Sequence, residues 1–275
     1  MRSLLLLLLA CCGCHDSTKM DAKVPVGALS LHILCRGEGT PTVVFDSGLG
    51  NDARAWSSVQ PEVAKLTKVC AYDRAGTGSS SPAPRPHPNR QMAEELHALL
   101  KSAKIPGPYV LVGHSMGGMN VQLLLDRYPD SVAGMVLVDA SPEPPLFEQF
   151  PRAELAEFEK NIGKLEGLDM KTLLGGYEEL RQSKPSLGNK PLVVLVAGRA
   201  TPEPFLTEAQ ARDAFLKRQH AQKPLVDLST NGVLVTARNS THHIPHESPE
   251  IVVEAVKAVV DSSRTGSKVD ASAIQ

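Results

Sequence analysis

Nothing in this chain offers a polyanion a cationic face: 29 lysines and arginines stand against 30 aspartates and glutamates, the formal net charge is -1, and no long basic run occurs. Nucleic acid is therefore not an expected partner. No two cysteines have the spacing of a zinc site. The glycines at Gly76 and Gly78 lack the lysine of a phosphate-cradling loop. The apolar run Leu4 to Leu9 is too short to span roughly 30 Å of hydrocarbon as a helix. Beyond that leader there are no internal repeats or low-complexity segments, and nothing implies a metal or organic cofactor. What is present is 275 residues, 42% of them hydrophobic, enough for one substantial core with an insertion.

The first residues differ from the rest. Arg2, the leucine run and the small or sulfur residues after it have the order of a secretory signal. Leu8, Leu9, Ala10 and Cys11 resemble a bacterial lipobox, which implies lipidation at Cys11 and anchoring to the cell envelope after export. Cys14 is a second candidate acceptor, and a plain cleaved signal or a short buried segment is the alternative. The leader and its tether would occupy residues 1–23. Export permits disulfides, so Cys35 and Cys70 are either bridged or two small buried residues that never meet.

From residue 41 onward, apolar runs of strand length alternate with helical patterns, the mark of an α/β fold with a mostly parallel central sheet flanked by helices. The expected strands are Thr42–Asp46, Lys68–Tyr72, Tyr109–Val112, Gly134–Asp139, Leu192–Ala197 and Gly232–Ala237, preceded by an edge hairpin of Val24–Ala28 and Leu29–Cys35. Their Val and Leu content predicts burial on both faces. Met92, Leu96, Leu99, Leu100 and Ala103 recur at helical spacing. A last helix is expected with Ser248 as N-cap, Pro249 in the first turn and Val252, Val256, Val259 and Val260 facing inward. Residues 24–141 and 191–262 would form the core, 142–190 a helical lid insertion, and 263–275 a flexible tail.

The sharpest chemical signal is Gly113, His114, Ser115, Met116, Gly117, a G-x-S-x-G elbow directly after an apolar strand. A strand-to-helix turn this tight needs small neighbours, which Gly113, Gly117 and Gly118 supply, and it aims the helix N-terminus at the serine. A serine hydroxyl needs a base to activate it and a third group to orient that base. Ser240 to Ile244 lie between the last strand and the last helix, where a loop can return an imidazole to the sheet edge.

The run Ser240 to Glu250 resembles the "SGHxIxxxxPE" segment of alpha/beta hydrolases, and this registers His242 as the base. Thr241 departs from the usual glycine; His243 becomes a pocket-wall or surface residue and the alternative base, while His246 and His114 are expected at the surface or in packing. The family carries its acid after either of two strands. After Leu192–Ala197 the slot is empty, since Gly198 is followed by Arg199, Ala200 and Thr201. Asp139 resembles the acid of members that place it earlier, with Glu203 the alternative and a turn-capping role the structural one.

Asp46 to Gly50 resemble the family's oxyanion loop, which implies the amides of Leu49 and Met116 as donors to a tetrahedral oxyanion. Asp73 to Ser79 resemble its "DRxGxGxS" loop, in which Asp73 and Arg74 tie neighbouring loops by charge-assisted bonds. The same resemblance sets the second strand beside the fourth, bringing Cys35 near Cys70.

The implied activity is ester or related acyl cleavage on a small-molecule acyl substrate. A peptidase, carbon–carbon hydrolase or perhydrolase would use the same groups, and a non-catalytic binding protein could retain the fold. Leu146, Phe147, Phe150, Phe158 and Met170 could line an acyl pocket or form the insertion's own core.

Overall fold

The computed structural model describes residues 19–140, 160, 166–202 and 206–275. Eight strands form one sheet: β1 (Met20–Val26), β2 (Leu29–Arg36), β3 (Thr42–Asp46), β4 (Val69–Tyr72), β5 (Tyr109–His114), β6 (Val132–Val138), β7 (Leu192–Ala197) and β8 (Gly232–Ala237). Their spatial order is β1-β2-β4-β3-β5-β6-β7-β8. The β1–β2 and β2–β4 pairs are antiparallel and the rest are parallel. Every residue of β3, β4, β5 and β7 is buried, as expected for strands covered on both faces.

Side chains alternate between two apolar layers. Val44 and Leu111 join one layer with α1 (Asn89–Ser102), α2 (Met116–Arg127) and α3 (Met170–Ser183). Val43, Phe45, Val110 and Val112 join the other with α5 (Pro249–Thr265), whose Val252, Val256, Val259 and Val260 are fully buried. Each such valine contributes roughly 1.5–3 kcal/mol by leaving water. Between β7 and β8, α4 (Glu208–Gln222) buries only Ala214 and Gln222 along its length, so polar contacts rather than a wide apolar stripe fix its position.

Some boundaries differ from the sequence reading. Met20 to Lys23, expected within the tether, instead pair with Cys35 to His32 and lengthen the edge hairpin. Ser248 precedes α5 as expected, but its side chain does not cap the helix; it accepts a bond from Ser240 Oγ at 2.7 Å. The final segment is not a free tail: α5 runs on to Thr265, Gly266 closes it in the left-handed region, and Val269 and Ile274 pack into the core. The amide of Val269 donates to Asn231 Oδ1 at 3.0 Å, an anchor that polar composition does not reveal.

Within the insertion, α3 covers the Leu173–Leu180 pattern and packs Met170, Leu173 and Leu180 against the core. Leu146, Phe147, Phe150 and Phe158 lie outside the described residues, as do the leader with Cys11 and Cys14 and the alternative acid Glu203. Among the described residues, no helix is long and apolar enough to cross a membrane.

Cys35 and Cys70 face each other across β2 and β4 and are joined by a disulfide with a Cα–Cα distance of 4.0 Å. The bond closes a loop with a sequence separation of 35, for which the chain-entropy account gives about 3–4 kcal/mol. Replacing both cysteines by alanine is expected to lower the unfolding free energy by about that much. Urea denaturation checks it, and an unchanged midpoint would show that the bridge does not restrain the unfolded chain.

Candidate active site

At the end of β5 the backbone turns directly into α2, with Ser115 between them at φ 54° and ψ -120°. A side chain cannot normally rest there, and the surroundings leave no alternative. A Cβ on Gly113 would lie 2.5 Å from the Gly117 carbonyl oxygen, one on Gly117 would lie 2.3 Å from the Asp46 carbonyl oxygen, and one on Gly118 would lie 2.2 Å from Ala140 Cβ. The amide of Ser115 donates to the Val138 carbonyl at 3.1 Å, locking the elbow to β6.

Asp139 follows β6 in a second left-handed conformation, φ 43°. Its amide donates to the Leu195 carbonyl at 2.8 Å, and its buried Oδ1 accepts from the Ala197 amide at 3.0 Å and Gln222 Nε2 at 2.9 Å. Oδ2 is thereby aimed at His242 Nδ1, 2.5 Å away, and His242 Nε2 lies 3.0 Å from Ser115 Oγ. The structure thus assembles Ser115, His242 and Asp139 into one hydrogen-bonded chain. Because Nδ1 faces a carboxylate it carries the proton, which leaves Nε2 as the acceptor toward the serine hydroxyl.

The loop carrying His242 is held on several sides. Glu247 accepts from the Thr241 amide at 2.6 Å and from its hydroxyl at 2.8 Å. The Ser240 carbonyl accepts from the amides of Gly198 and Arg199 at 3.0 and 2.9 Å. His114 Nε2 donates to the His242 carbonyl at 2.9 Å. His114 is therefore a buried packing residue with a specific bond, whereas His243 and His246 are exposed. The His243 ring lies 5.7 Å from that of His242.

Beneath the site, the loop after β3 is tied to a buried cluster. Arg74 Nη1 donates to Asp46 Oδ1 and to the Ser47 carbonyl, each at 2.6 Å, and Nη2 donates to the Gly48 carbonyl at 2.7 Å. Asp73 accepts from the amides of Ala53 and Ser79 at 2.9 and 2.8 Å, so both residues tie loops together as their motif suggests. The amides of Leu49 and Met116 donate to no protein oxygen among the described residues and stay available to a ligand.

Arg218 on α4 was not legible in the sequence. Its Nη1 lies 3.1 Å from Asp139 Oδ2 and 2.7 Å from His242 Nδ1. Since Nδ1 already bears a proton directed at Asp139, Arg218 donates to the carboxylate and places its charge beside the imidazole. Burial alone would raise the Asp139 carboxyl, but its bond with His242 and the charge of Arg218 hold it well below the usual carboxylate range. Burial lowers His242; the Asp139 bond opposes this, while the charges of Arg218 and His243 reinforce it. His114 is pushed down to about 3, by burial first and then by His242. A cavity of about 160 Å³ opens beside Asp139 and His242 and is walled by Thr201, Leu206 and Phe215. Among the described residues, no group of three or more His, Cys, Asp or Glu side chains could hold a metal ion.

The alpha/beta hydrolase fold family model matches residues 41–223. The uncharacterized protein YqjL of Bacillus subtilis is 29% identical over 241 residues, covering 87% of this chain and 92% of that protein. An AB hydrolase superfamily protein of Gibberella zeae is 24% identical over 279 residues, covering 80% and 86%. Among solved structures, a thermophilic esterase from Thermogutta terrifontis superposes with a TM-score of 0.62 at 20% identity, over 90% of this chain and all of that one (100%).

Burial, reinforced by the charges of Arg218 and His243, outweighs the opposing Asp139 carboxylate and predicts that the His242 imidazole titrates below the ordinary 6.5. Arg218→Met removes one cation that opposes protonation and should move the midpoint upward. NMR titration of the histidine Cε1–H resonances reads both values; a wild-type midpoint at or above 6.5, or no upward movement in the variant, contradicts the electrostatics.

Proposed function

The chain belongs to the alpha/beta hydrolase fold family, and from that premise we propose that it is a serine hydrolase cleaving a carboxylic ester or related acyl bond through an acyl-enzyme. The observation that carries this reading is the relay Asp139 Oδ2, His242 Nδ1, His242 Nε2, Ser115 Oγ, with links of 2.5 and 3.0 Å. In the proposed reaction His242 Nε2 takes the hydroxyl proton as Ser115 Oγ bonds to the acyl carbon. The carbonyl π electrons move to its oxygen, which the amides of Leu49 and Met116 receive. Collapse breaks the bond to the leaving alkoxide, which His242 protonates. A water then repeats the sequence, freeing the acid and restoring Ser115.

Asp139 keeps the imidazole in the needed tautomer and balances its transient charge. The depressed basicity of His242 favours the neutral form that can accept a proton. A serine at the elbow disfavours chemistries that proceed through an aspartyl ester, such as epoxide hydrolysis. Small apolar walls at Leu206 and Phe215 suit an apolar substrate portion beside the histidine. We also read the chain as exported and lipid-anchored through Cys11. The disulfide supports an oxidising compartment, and a Cys11→Ser chain that still partitions with membranes would refute that anchor.

Ser115→Ala should lower turnover of p-nitrophenyl esters at least about 10³-fold while leaving the circular dichroism spectrum intact. A fluorophosphonate probe should label the wild type and not the variant. Ester turnover that survives the substitution overturns the assignment, and wild-type preference for aminoacyl amides over esters would move the activity to peptide bonds.

A further inference from the structure

Glu166, in the insertion between β6 and β7, lies fully buried beneath the loop that follows β3. Its Oε1 accepts from the Gly50 amide at 2.6 Å and from Arg74 Nη2 at 2.9 Å, and its Oε2 accepts from Arg74 Nε at 2.7 Å. Its own backbone is secured, because the Glu166 carbonyl faces His87 Nδ1 at 3.0 Å and the Gly167 carbonyl accepts from the His87 amide at 3.1 Å. Gly167 has φ +69°, and a Cβ there would lie 2.1 Å from the Pro84 carbonyl oxygen. The carboxylate is thus held in place from behind and is not a solvated charge on a loose arm.

Charge neutralisation does not account for it. Arg74 already has a buried partner in Asp46 at 2.6 Å, and Asp46 is further satisfied by Tyr72 Oη at 2.8 Å. Adding Glu166 sets two carboxylates against one guanidinium in a fully buried site, which is costly. What the second carboxylate adds is the bond to Gly50. With it, Ser47 and Gly48 are fixed by their carbonyls and Gly50 by its amide. The peptide bearing the Leu49 N–H is held by Arg74 at its Gly48 carbonyl, and the peptide that follows it is held by Glu166 at the Gly50 amide.

We propose that Glu166 is a positioning residue for the oxyanion hole: through Gly50 and Arg74 it orients the Leu49 amide toward the tetrahedral oxygen. This rests on the serine-hydrolase reading above. It makes part of the insertion a support of the reacting centre. The interaction matters more as charge develops than in the ground state, so its loss should appear in kcat rather than KM.

The experiment compares wild type, Glu166→Ala and Glu166→Gln on a p-nitrophenyl ester, with active sites counted by burst titration. A trifluoromethyl ketone serves as a reversible mimic of the tetrahedral state. Glu166→Ala should lower kcat per active site by about 10–100-fold with KM nearly constant, and weaken the ketone by a similar factor. Glu166→Gln keeps an oxygen for the Gly50 amide and should recover most of the loss. The His242 midpoint should not move in either variant. A kcat per active site in Glu166→Ala equal to that of the wild type, or a loss confined to KM, overturns the proposal. If the alanine variant does not fold, Glu166→Asp decides, because its shorter side chain withdraws the carboxylate from the Gly50 amide: a kcat loss matched by weaker ketone binding supports the proposal, and unchanged values reject it. A wild-type chain with neither turnover nor labelling overturns the underlying serine-hydrolase reading instead.

Discussion

The site rests on a steric constraint: the carboxyl ends of β3, β5 and β6 and the first turn of α2 approach so closely that residues 113, 117 and 118 have no room for a Cβ. Three glycines make the approach possible, and the approach fixes Ser115 at φ 54°, where an ordinary residue is strained by about 1–3 kcal/mol. That strain is offset by the layers on both faces of the sheet, so the geometry of one side chain draws on the stability of the whole core. Asp139 repeats the arrangement on the neighbouring strand at φ 43°, with the Ala197 amide of β7 donating to its carboxylate. Both groups stand at the ends of strands packed into the centre of the sheet.

Polar burial is the second organising problem. Asp46, Arg74 and Glu166 lie under the loop after β3, while Asp139, His242 and Arg218 lie at the other side of the elbow. In each set a guanidinium meets carboxylates, yet the outcomes differ. Arg74 spends its donors on carbonyls and carboxylates and becomes a strut. Arg218 has one clear acceptor, Asp139 Oδ2, and otherwise acts through proximity to the imidazole. The first set organises backbone, and the second sets proton affinity.

What could be read from the sequence follows from this division. The strands, the elbow glycines and the histidine loop are local patterns, because a tight turn restricts residues next to it in the chain and a doubly covered strand must be apolar throughout. The cross-strand cysteines could be placed once the order of strands was inferred. Glu166 and Arg218 carried no such mark: each acts on residues 92 and 79 positions away, respectively, and a charged side chain in a polar helix resembles any solvated one. Arg74 gave the only hint, since a buried arginine needs acceptors, but the motif could not say which loop would supply them. The tail misled for the same reason, its anchor being an asparagine that lies 38 residues earlier.

Every group given a role in the proposed reaction follows the carboxyl end of a parallel strand: Leu49 after β3, Ser115 after β5, Asp139 after β6 and His242 after β8. Each arrives on a separate loop, and bonds between loops hold them in register, as between the Ser240 carbonyl and the Gly198 and Arg199 amides or the His242 carbonyl and His114. The segment after β7 supplies the cavity wall at Thr201, Leu206 and Phe215, and it is the natural place for substrate preference to vary among chains that share this frame. The β6–β7 insertion is joined to its neighbours as well, because Glu166 binds it to the loop after β3. Glu166 and Gly167 are held between what they support, the Gly50 amide and Arg74, and the His87 side chain and amide behind them, so this part of the insertion is a fixed foot under the loop after β3.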